Sequence, residues 1–144
     1  MKIRSMAILL LGGFSGLPSL AHALSCEAPV SAKANLAGAT TVILGTVLNV
    51  VPEGSKEIWE GNTVPVAKVT LRVDRWWKGP RKRNYFFYVH ASDKRYAKDK
   101  VYLLYLRKYG ARKLEGAFDC NDPVEPGVGQ QKDLLELGPG KPGK

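Results

Sequence analysis

Alternating apolar and polar residues are clearest in the segment VAKVTLRVDRWWKGP, which occupies residues 66–80. From Val69 to Val73 every second residue is apolar, and the positions between and beside them hold polar side chains, Lys68, Thr70, Arg72 and Asp74. A period of two is that of a β-strand, whose side chains point alternately to its two faces. The pattern predicts a strand with one buried and one solvated face, which ends at the turn pair Gly79-Pro80.

Four further segments have the composition of strands. The β-branched run Thr41–Val51 precedes the alternating segment, and Gly45 inside it predicts a bend or a bulge. Between these two strands, the stretch 52–65 is rich in Pro, Gly and Asn and is predicted to be a polar hairpin connection. Three more strands are predicted after the turn: the aromatic run 85–90, the apolar run 101–110 and a segment that starts at Arg112.

Helical signals are confined to the two ends of this strand region. Ser31 precedes a stretch rich in Ala and can cap a helix of two or three turns. After the last strand, 121–129 is a Pro- and Gly-rich linker, 130–138 can form two helical turns, and 139–144 is predicted to be a frayed end. Five short strands with little helix predict a mainly β domain, built as an antiparallel barrel or a sandwich.

The first 23 residues contain the three parts of a secretory signal peptide. Lys2 and Arg4 give a positive start, Met6–Leu20 is apolar, and Ala21-His22-Ala23 is a small-x-small cleavage site. A transmembrane anchor is the alternative, but the apolar stretch is shorter than the roughly 20 residues that a spanning helix needs, and it contains Gly, Ser and Pro. We therefore expect a secreted or periplasmic protein without a membrane span.

Cleavage after residue 23 would leave one domain, 24–120, followed by a tail, 121–144, a total length typical of a single core. Loss of Lys2 and Arg4 would lower the net charge from +9 to +7. A positive charge of this size favours contact with anionic surfaces, but it does not identify a partner.

Two cysteines remain in the predicted mature chain, Cys26 and Cys120. An even pair in an exported protein favours a disulfide, which here would join the two ends of the domain. The alternative is a lipid anchor on Cys26. The residues before it, Ala-Leu-Ser, match the bacterial lipoprotein signal poorly, and lipidation would leave Cys120 unpaired. The disulfide is the favoured prediction.

No group of residues in the sequence matches a known catalytic or metal-binding motif. His90 is the only histidine after residue 23, and no nucleophile motif, phosphate-binding loop or calcium loop is present. We therefore expect a non-enzymatic protein without a cofactor or a metal, in which His90 is a structural or surface residue.

The neighbouring tryptophans Trp76 and Trp77 cannot both face the core of a regular strand. We expect Trp77 to pack inside and Trp76 to be exposed or to lie over a bulge. Trp76 could then form a binding surface with other aromatic residues, Trp59, Tyr85, Phe86, Phe87 and Tyr88. The favoured alternative is that most of these side chains pack in the core, because a small domain needs its large aromatics there.

Basic residues cluster where the alternating strand ends. Lys78, Arg81, Lys82 and Arg83 form a candidate polyanion-binding set, suited to anionic lipid headgroups or acidic polysaccharide at the cell envelope. A nucleic-acid partner would fit the combination of basic and aromatic residues, but it conflicts with export. The remaining alternative is that these charges only solvate the surface.

The order of these segments resembles that of the TIMP-like, or netrin-module, superfamily. It runs from Cys26 through the helix, ILGTV, VTLRVDRWWKGP, the third strand and KDKVYLLYL to Cys120. Its most specific pieces are V-x-x-x-W-K-G at Val73–Gly79 and the ILGTV strand. The resemblance implies a five-stranded OB-type barrel to which disulfides tie the N-terminal segment. Together with the predicted elements, this gives a mainly β fold, a five-stranded antiparallel OB-type barrel with a short N-terminal helix and a short C-terminal helix.

Inhibitors of this superfamily act through a mature N-terminus of the form Cys-x-Cys, whose free amine and carbonyl chelate the catalytic zinc of a metalloproteinase. Cleavage after residue 23 would expose Leu24-Ser25-Cys26, in which Leu24 replaces the first cysteine. The segment that holds its disulfide partner in the family reads HASDKRYAKDKVYLL here and has no cysteine. The resemblance therefore implies a divergent, inhibitor-like module for binding an extracytoplasmic protein such as a zinc protease.

Overall fold

The computed structural model describes residues 31–118 and 127–143. The predicted signal peptide, the predicted Leu24–Cys26 terminus and Cys120 lie outside these residues, so the predictions made for them stay predictions. The first described element is helix α1, Ala32–Gly38. The side chain of Ser31 caps it by accepting a hydrogen bond from the backbone N–H of Ala34 at 3.2 Å, which confirms the predicted cap.

The described chain is mainly β, as predicted. Five strands follow α1 in sequence: β1 Thr41–Trp59, β2 Asn62–Lys78, β3 Asn84–His90, β4 Val101–Tyr109 and β5 Leu114–Gly116. They are followed by helix α2, Val128–Leu137, and by the short strand β6, Lys141–Pro142. Each strand predicted from the sequence is therefore present, and so is the predicted second helix.

Strands β1 to β5 form a closed ring, paired in the order β1-β2-β3-β5-β4 and back to β1. Four of the pairings are antiparallel, but β3 and β5 are parallel. The prediction of an all-antiparallel arrangement is wrong at this pairing. The reason is geometric, because strand directions cannot alternate all the way around a ring with an odd number of strands. We call the parallel β3–β5 pairing the seam.

The main core fills the inside of the ring. The apolar positions of the alternating segment, Val69, Leu71 and Val73, point inwards and pack with Phe87 and Leu104. This arrangement confirms the buried face predicted from the period of two. A second apolar cluster lies outside the ring, where both helices cover β1 and β4, and a third surrounds the far end of the β1–β2 hairpin.

The polar stretch 52–65 is not a hairpin connection, which corrects the prediction. Strands β1 and β2 stay paired from Pro52 to Trp59, with a register shift after Pro52, and only the two residues between Trp59 and Asn62 form the turn. Gly61 in this turn has φ of 69°. The reason for the long pairing is that Ile58, near the tip, is buried in the third cluster and holds the hairpin against the ring.

The bulge predicted at Gly45 is confirmed. The register of β1 on β2 shifts between Leu44 and Gly45. A Cβ atom at Gly45 would lie 2.6 Å from Leu71 Cδ1 and 2.8 Å from the carbonyl oxygen of Arg72. Only glycine therefore allows β2 to approach β1 this closely.

The predicted frayed end is wrong for Lys141 and Pro142. These residues pair with Trp76 and Arg75 as strand β6. The guanidinium of Arg81 fixes the tail further, because its Nε and one terminal nitrogen donate to the carbonyl oxygen of Pro142 at 3.0 and 2.7 Å. Backbone pairing with the free edge of β2 explains why a segment with weak local preferences is ordered.

The W-K-G stretch holds both helices on the ring. Trp76 packs against the main core, whereas Trp77 packs in the second cluster and its Nε1 donates to the carbonyl oxygen of Gly138 at 3.1 Å. The predicted packing of Trp77 is confirmed, whereas the predicted surface position of Trp76 is wrong, because its partly buried ring packs against the main core. Lys78 Nζ donates to the last carbonyls of α1, Leu36 O and Ala37 O, both at 2.9 Å.

Candidate ligand-binding cleft at the seam

The seam is the weakest pairing of the ring and it borders a cleft. Strands β3 and β5 are joined by one bridge, Tyr88 to Gly116, and by a hydrogen bond from the Ala117 N–H to the Tyr88 carbonyl at 3.0 Å. Towards the start of both strands lies a cleft of about 370 Å³. Its lining residues come from β3, β5 and the turns before them: Lys82, Asn84, Tyr85, Phe86, Tyr88, Lys113, Leu114 and Glu115.

The carboxylate of Glu115, which accepts three hydrogen bonds, forms the polar floor of the cleft. Glu115 Oε1 accepts hydrogen bonds from the hydroxyl of Thr40, at 3.0 Å, and from that of Thr41, while its Oε2 accepts from the hydroxyl of Tyr85. Burial and the bond to Glu115 raise the pKa of Tyr85 above its ordinary value. Because hydroxyls of Thr41 and Tyr85 both bond to this carboxylate, Glu115 ties β1, β3 and β5 together.

Aromatic side chains form one wall. Phe86 is 51% exposed, the largest value among the aromatic residues of β3, and its ring meets that of Tyr88 edge-on at 6.1 Å between centroids. Lys68 Nζ lies 4.4 Å from the centroid of Phe86. The charge of Lys68 is partly neutralised by Glu53, whose carboxylate lies 3.8 Å from it and also accepts from the Tyr88 hydroxyl.

Two cations stand at the cleft without an acidic partner in ion-pair distance among the described residues, Lys82 and Lys113. Both are exposed, and Lys82 Nζ lies 5.9 Å from the ring centroid of Tyr85. Lys113 has φ of 49°, in the left-handed region, and its N–H donates to the Gly110 carbonyl at 3.1 Å. The turn between β4 and β5 thus places Lys113 at the cleft by a backbone conformation that is uncommon for lysine.

The structure separates the four residues of the predicted polyanion-binding set. Lys78 binds the end of α1 and Arg81 binds the tail, so both have structural contacts. Arg83 is exposed, and its carbonyl oxygen accepts from the Val73 N–H at 2.8 Å. Only Lys82 lines the cleft.

Sequence reasoning did not single out Lys113, which stands 31 positions after Lys82. The parallel pairing of β3 with β5 brings the two residues to one cleft. A closed ring of five strands must contain at least one parallel pair. Once the number of strands was known, this requirement could have indicated that two segments distant in sequence lie side by side.

His90, which was predicted to be a structural or surface residue, lies away from the cleft. The ring of His90 packs between Trp59 and Phe118, with centroid distances of 6.2 and 5.2 Å, so His90 takes part in an aromatic cluster. Within residues 31–118 and 127–143, no three His, Cys, Asp or Glu side chains are grouped as metal ligands. Neither of the helices described there has the length and apolar character needed to cross a bilayer.

Comparison with known proteins adds no relative. The sequence matches none of the protein-family models and none of the curated proteins against which it was compared. The function is therefore inferred from the cleft and the surface of the ring.

Proposed function

We propose that the chain is an exported, non-enzymatic binding module of OB-type fold, and that its seam cleft binds an anionic group of a cell-envelope polymer. The observation that carries this proposal is the position of Lys82 and Lys113 at one cleft whose wall includes the half-exposed ring of Phe86. An exposed cation over an apolar wall is suited to a sulfate, phosphate or carboxylate carried on a sugar or lipid.

The OB-type fold is part of the proposal. It is supported by the ring of five strands and by the single bridge at its seam, since an OB fold is a five-stranded, partly open barrel. Membership of the TIMP-like superfamily is proposed on the same basis. It is supported by the structural use of the W-K-G stretch, in which Trp77 and Lys78 hold the two helices to the ring.

Neutralising both cleft lysines is expected to weaken retention on a heparin matrix. In the double variant K82Q/K113Q, we expect a lower eluting salt concentration and an affinity reduced roughly two- to thirty-fold, as for the loss of two exposed charge pairs. Added salt should weaken retention of the unmodified protein, because exposed charges are screened.

A matched control separates the cleft from the overall positive charge. The variant K94Q/K98Q removes the same two charges from exposed positions that do not line the cleft. It should elute close to the unmodified protein. Equal elution of both double variants would show that retention depends on net charge alone, and the proposed site would then be rejected.

A second candidate function is inhibitor-like binding of a zinc protease through Leu24-Ser25-Cys26. The observation that favours it is the firm attachment of α1, which starts a few residues after Cys26. Lys78 holds the end of this helix, and the backbone N–H of Lys33 near its start donates to Glu136 of α2 at 3.0 Å. A helix fixed at both ends would limit the freedom of the residues before it and so lower the entropic cost of binding.

Inhibition by this route requires a free amine on Leu24. We expect the mature protein that begins at Leu24 to inhibit a member of a panel of zinc endopeptidases, with a dissociation constant of roughly micromolar or lower. The control is the same protein with one alanine added before Leu24, which moves the amine and should abolish inhibition. If the two forms behave alike, or neither inhibits, this second function is excluded.

A further inference from the structure

Helix α2 packs on the ring through one side only. Leu134 and Leu137 join the second cluster, where they contact the layer that contains Leu103 and Tyr105. Gln130 is buried as well, and its side-chain nitrogen lies 3.4 Å from the Val101 carbonyl oxygen that accepts from it. These contacts define the inner side of the helix.

Both acidic residues of α2 are also held on this inner side. Asp133 Oδ2 accepts a hydrogen bond from the hydroxyl of Tyr105 at 3.0 Å. Glu136 Oε1 accepts from the backbone N–H of Lys33 at 3.0 Å. Neither carboxylate is fully exposed. The helix therefore directs its negative charge towards the protein.

The outer side of α2 exposes two large apolar side chains. Val128 and Leu135 are 85% and 84% exposed, the two largest values among the exposed large apolar residues of the described chain. They stand seven residues apart, which is about two turns or roughly 10.5 Å along one side of a helix. The exposed Lys132 lies between them. A helix that only met solvent would carry polar residues along this line.

Cations border this outer side. A groove of about 560 Å³ beside it is lined by Arg75, Gln131, Leu134, Leu135, Gly138 and Pro139, none of which is acidic. The helix itself adds the exposed Lys132. We call Val128, Lys132, Leu135 and Arg75 the α2 ridge.

We propose that the α2 ridge docks on an anionic phospholipid leaflet. Val128 and Leu135 enter the boundary between headgroups and acyl chains, while Lys132 and Arg75 meet the phosphates. This surface is separate from the seam cleft, and the inference shares with the proposed function only the assumption of export.

Charge and size favour a leaflet over the other occupants. A second copy in a symmetric dimer would bring the same cations face to face, which is repulsive. A stable protein interface needs about 800 Å² on each partner, whereas two aliphatic side chains on one helix offer much less. A fluid leaflet needs no complementary shape, so two inserted side chains and two cations are suited to weak, reversible attachment.

The test is co-sedimentation with vesicles of phosphatidylcholine containing about 30% phosphatidylglycerol, compared with phosphatidylcholine alone. We expect binding to the anionic vesicles that decreases as salt is added. The variant V128S/L135S should lose at least about tenfold in partitioning, because it removes both inserted side chains. K132Q should reduce binding to a smaller extent.

The matched control is L48S/V51S, which changes one leucine and one valine that are exposed on β1 at 37% and 46%. It should bind vesicles normally. The cleft variant K82Q/K113Q should also keep most of its vesicle binding, while V128S/L135S should keep its heparin retention. These crossed outcomes distinguish failure of the ridge proposal from failure of the cleft proposal, and a circular dichroism spectrum like that of the unmodified protein shows that the ridge variant is folded.

Three results would overturn the proposal. The first is no vesicle binding by the unmodified protein, and the second is unchanged binding by V128S/L135S. The third is self-association of the unmodified protein that V128S/L135S abolishes, since the ridge would then be occupied by a second copy.

Discussion

At pH 11 the domain is expected to have lost roughly 4 kcal/mol of the free energy of unfolding that it has at pH 8. The reason is the burial of three tyrosines, Tyr85, Tyr96 and Tyr105, each 6% exposed. Burial raises the pKa of all three, and hydrogen bonds to Glu115 and Asp133 raise the pKa of Tyr85 and Tyr105 further.

The direction follows from which state loses its protons first. Below the ordinary pKa of about 10, the tyrosines are neutral in both states and their contribution to stability is fully present. Above it, the unfolded chain ionises while the folded chain keeps its protons. Each buried tyrosine then costs about 1.4 kcal/mol for every pH unit, and the loss continues until the pH reaches the raised pKa of the folded state. Since small domains have roughly 5–15 kcal/mol in total, this loss brings the protein close to unfolding.

Urea unfolding followed by circular dichroism at pH 8 and pH 11 measures this loss, and the absorbance of phenolate reports the ionisation itself. Tyr96→Phe is the informative variant, because the Tyr96 hydroxyl is buried and has no hydrogen-bond partner in the described part of the chain. It should stabilise the protein at pH 8 by about 1 kcal/mol and remove about a third of the alkaline loss. Tyr85→Phe is the comparison variant. It should destabilise the protein at pH 8, because it removes the hydroxyl that donates to Glu115. An alkaline loss that is the same in Tyr96→Phe and the unmodified protein would contradict this account.

Glu115→Ala is expected to lower the free energy of unfolding by about 2–4 kcal/mol. This carboxylate accepts from the hydroxyls of Thr40, Thr41 and Tyr85, and it thereby joins the start of β1 to β3 and β5 across the seam. Its removal would leave partly buried hydroxyls without their acceptor, each at a cost of about 1–3 kcal/mol that neighbouring groups or water partly offset. Because one bridge is all that pairs β3 with β5 directly, these hydrogen bonds supply much of the hold on the seam.

Denaturant unfolding of Glu115→Ala and of Glu60→Ala gives the comparison. Glu60 is exposed in the β1–β2 turn, so its removal should change stability by no more than about 0.5 kcal/mol. Glu115→Gln keeps one carbonyl oxygen as an acceptor and should lie between Glu115→Ala and the unmodified protein. Equal stability of the Glu115 and Glu60 alanine variants would mean that the three hydroxyls find other partners and that the carboxylate does not hold the seam.

The local signals in the sequence were sufficient for individual elements. Ser31 caps α1 as its hydroxyl predicts, Gly45 forms the bulge, and Val69, Leu71 and Val73 face the core. Each of these features depends on a few neighbouring residues. Ser31 satisfies a backbone N–H at the start of a helix, Gly45 has no side chain, and the core-facing valines and leucine follow the period of a strand. Where distant pairing overrides such signals, the prediction was wrong. The residues of stretch 52–65 prefer turns and so predict a loop, but the buried side chain of Ile58 and the pairing of β1 with β2 keep the stretch extended.

The candidate site shows the same division. Lys82 was recognised from its place in a basic run, whereas its neighbours Lys78 and Arg81 have structural contacts that no charge pattern reveals. Lys113 joins Lys82 only because strand β5 is parallel to strand β3. The α2 ridge could not be predicted either, because the helix has leucines on both sides and its sequence does not show which side packs on the ring.

By itself, the sequence determined the mainly β character, the presence and order along the chain of five strands and two helices, the inward face of the alternating strand and the residues that cap or kink the chain. These are properties of short segments, in which chemistry and spacing act directly on the backbone. Only the tertiary structure decided the order of the strands, the place of the seam, the meeting of Lys82 with Lys113 and the outward turn of Val128 and Leu135. The physical reason is that closure of a ring depends on hydrogen bonds between residues far apart in the chain. Which strands pair is a property of the whole ring, and the odd number of strands determines that one pair must run parallel.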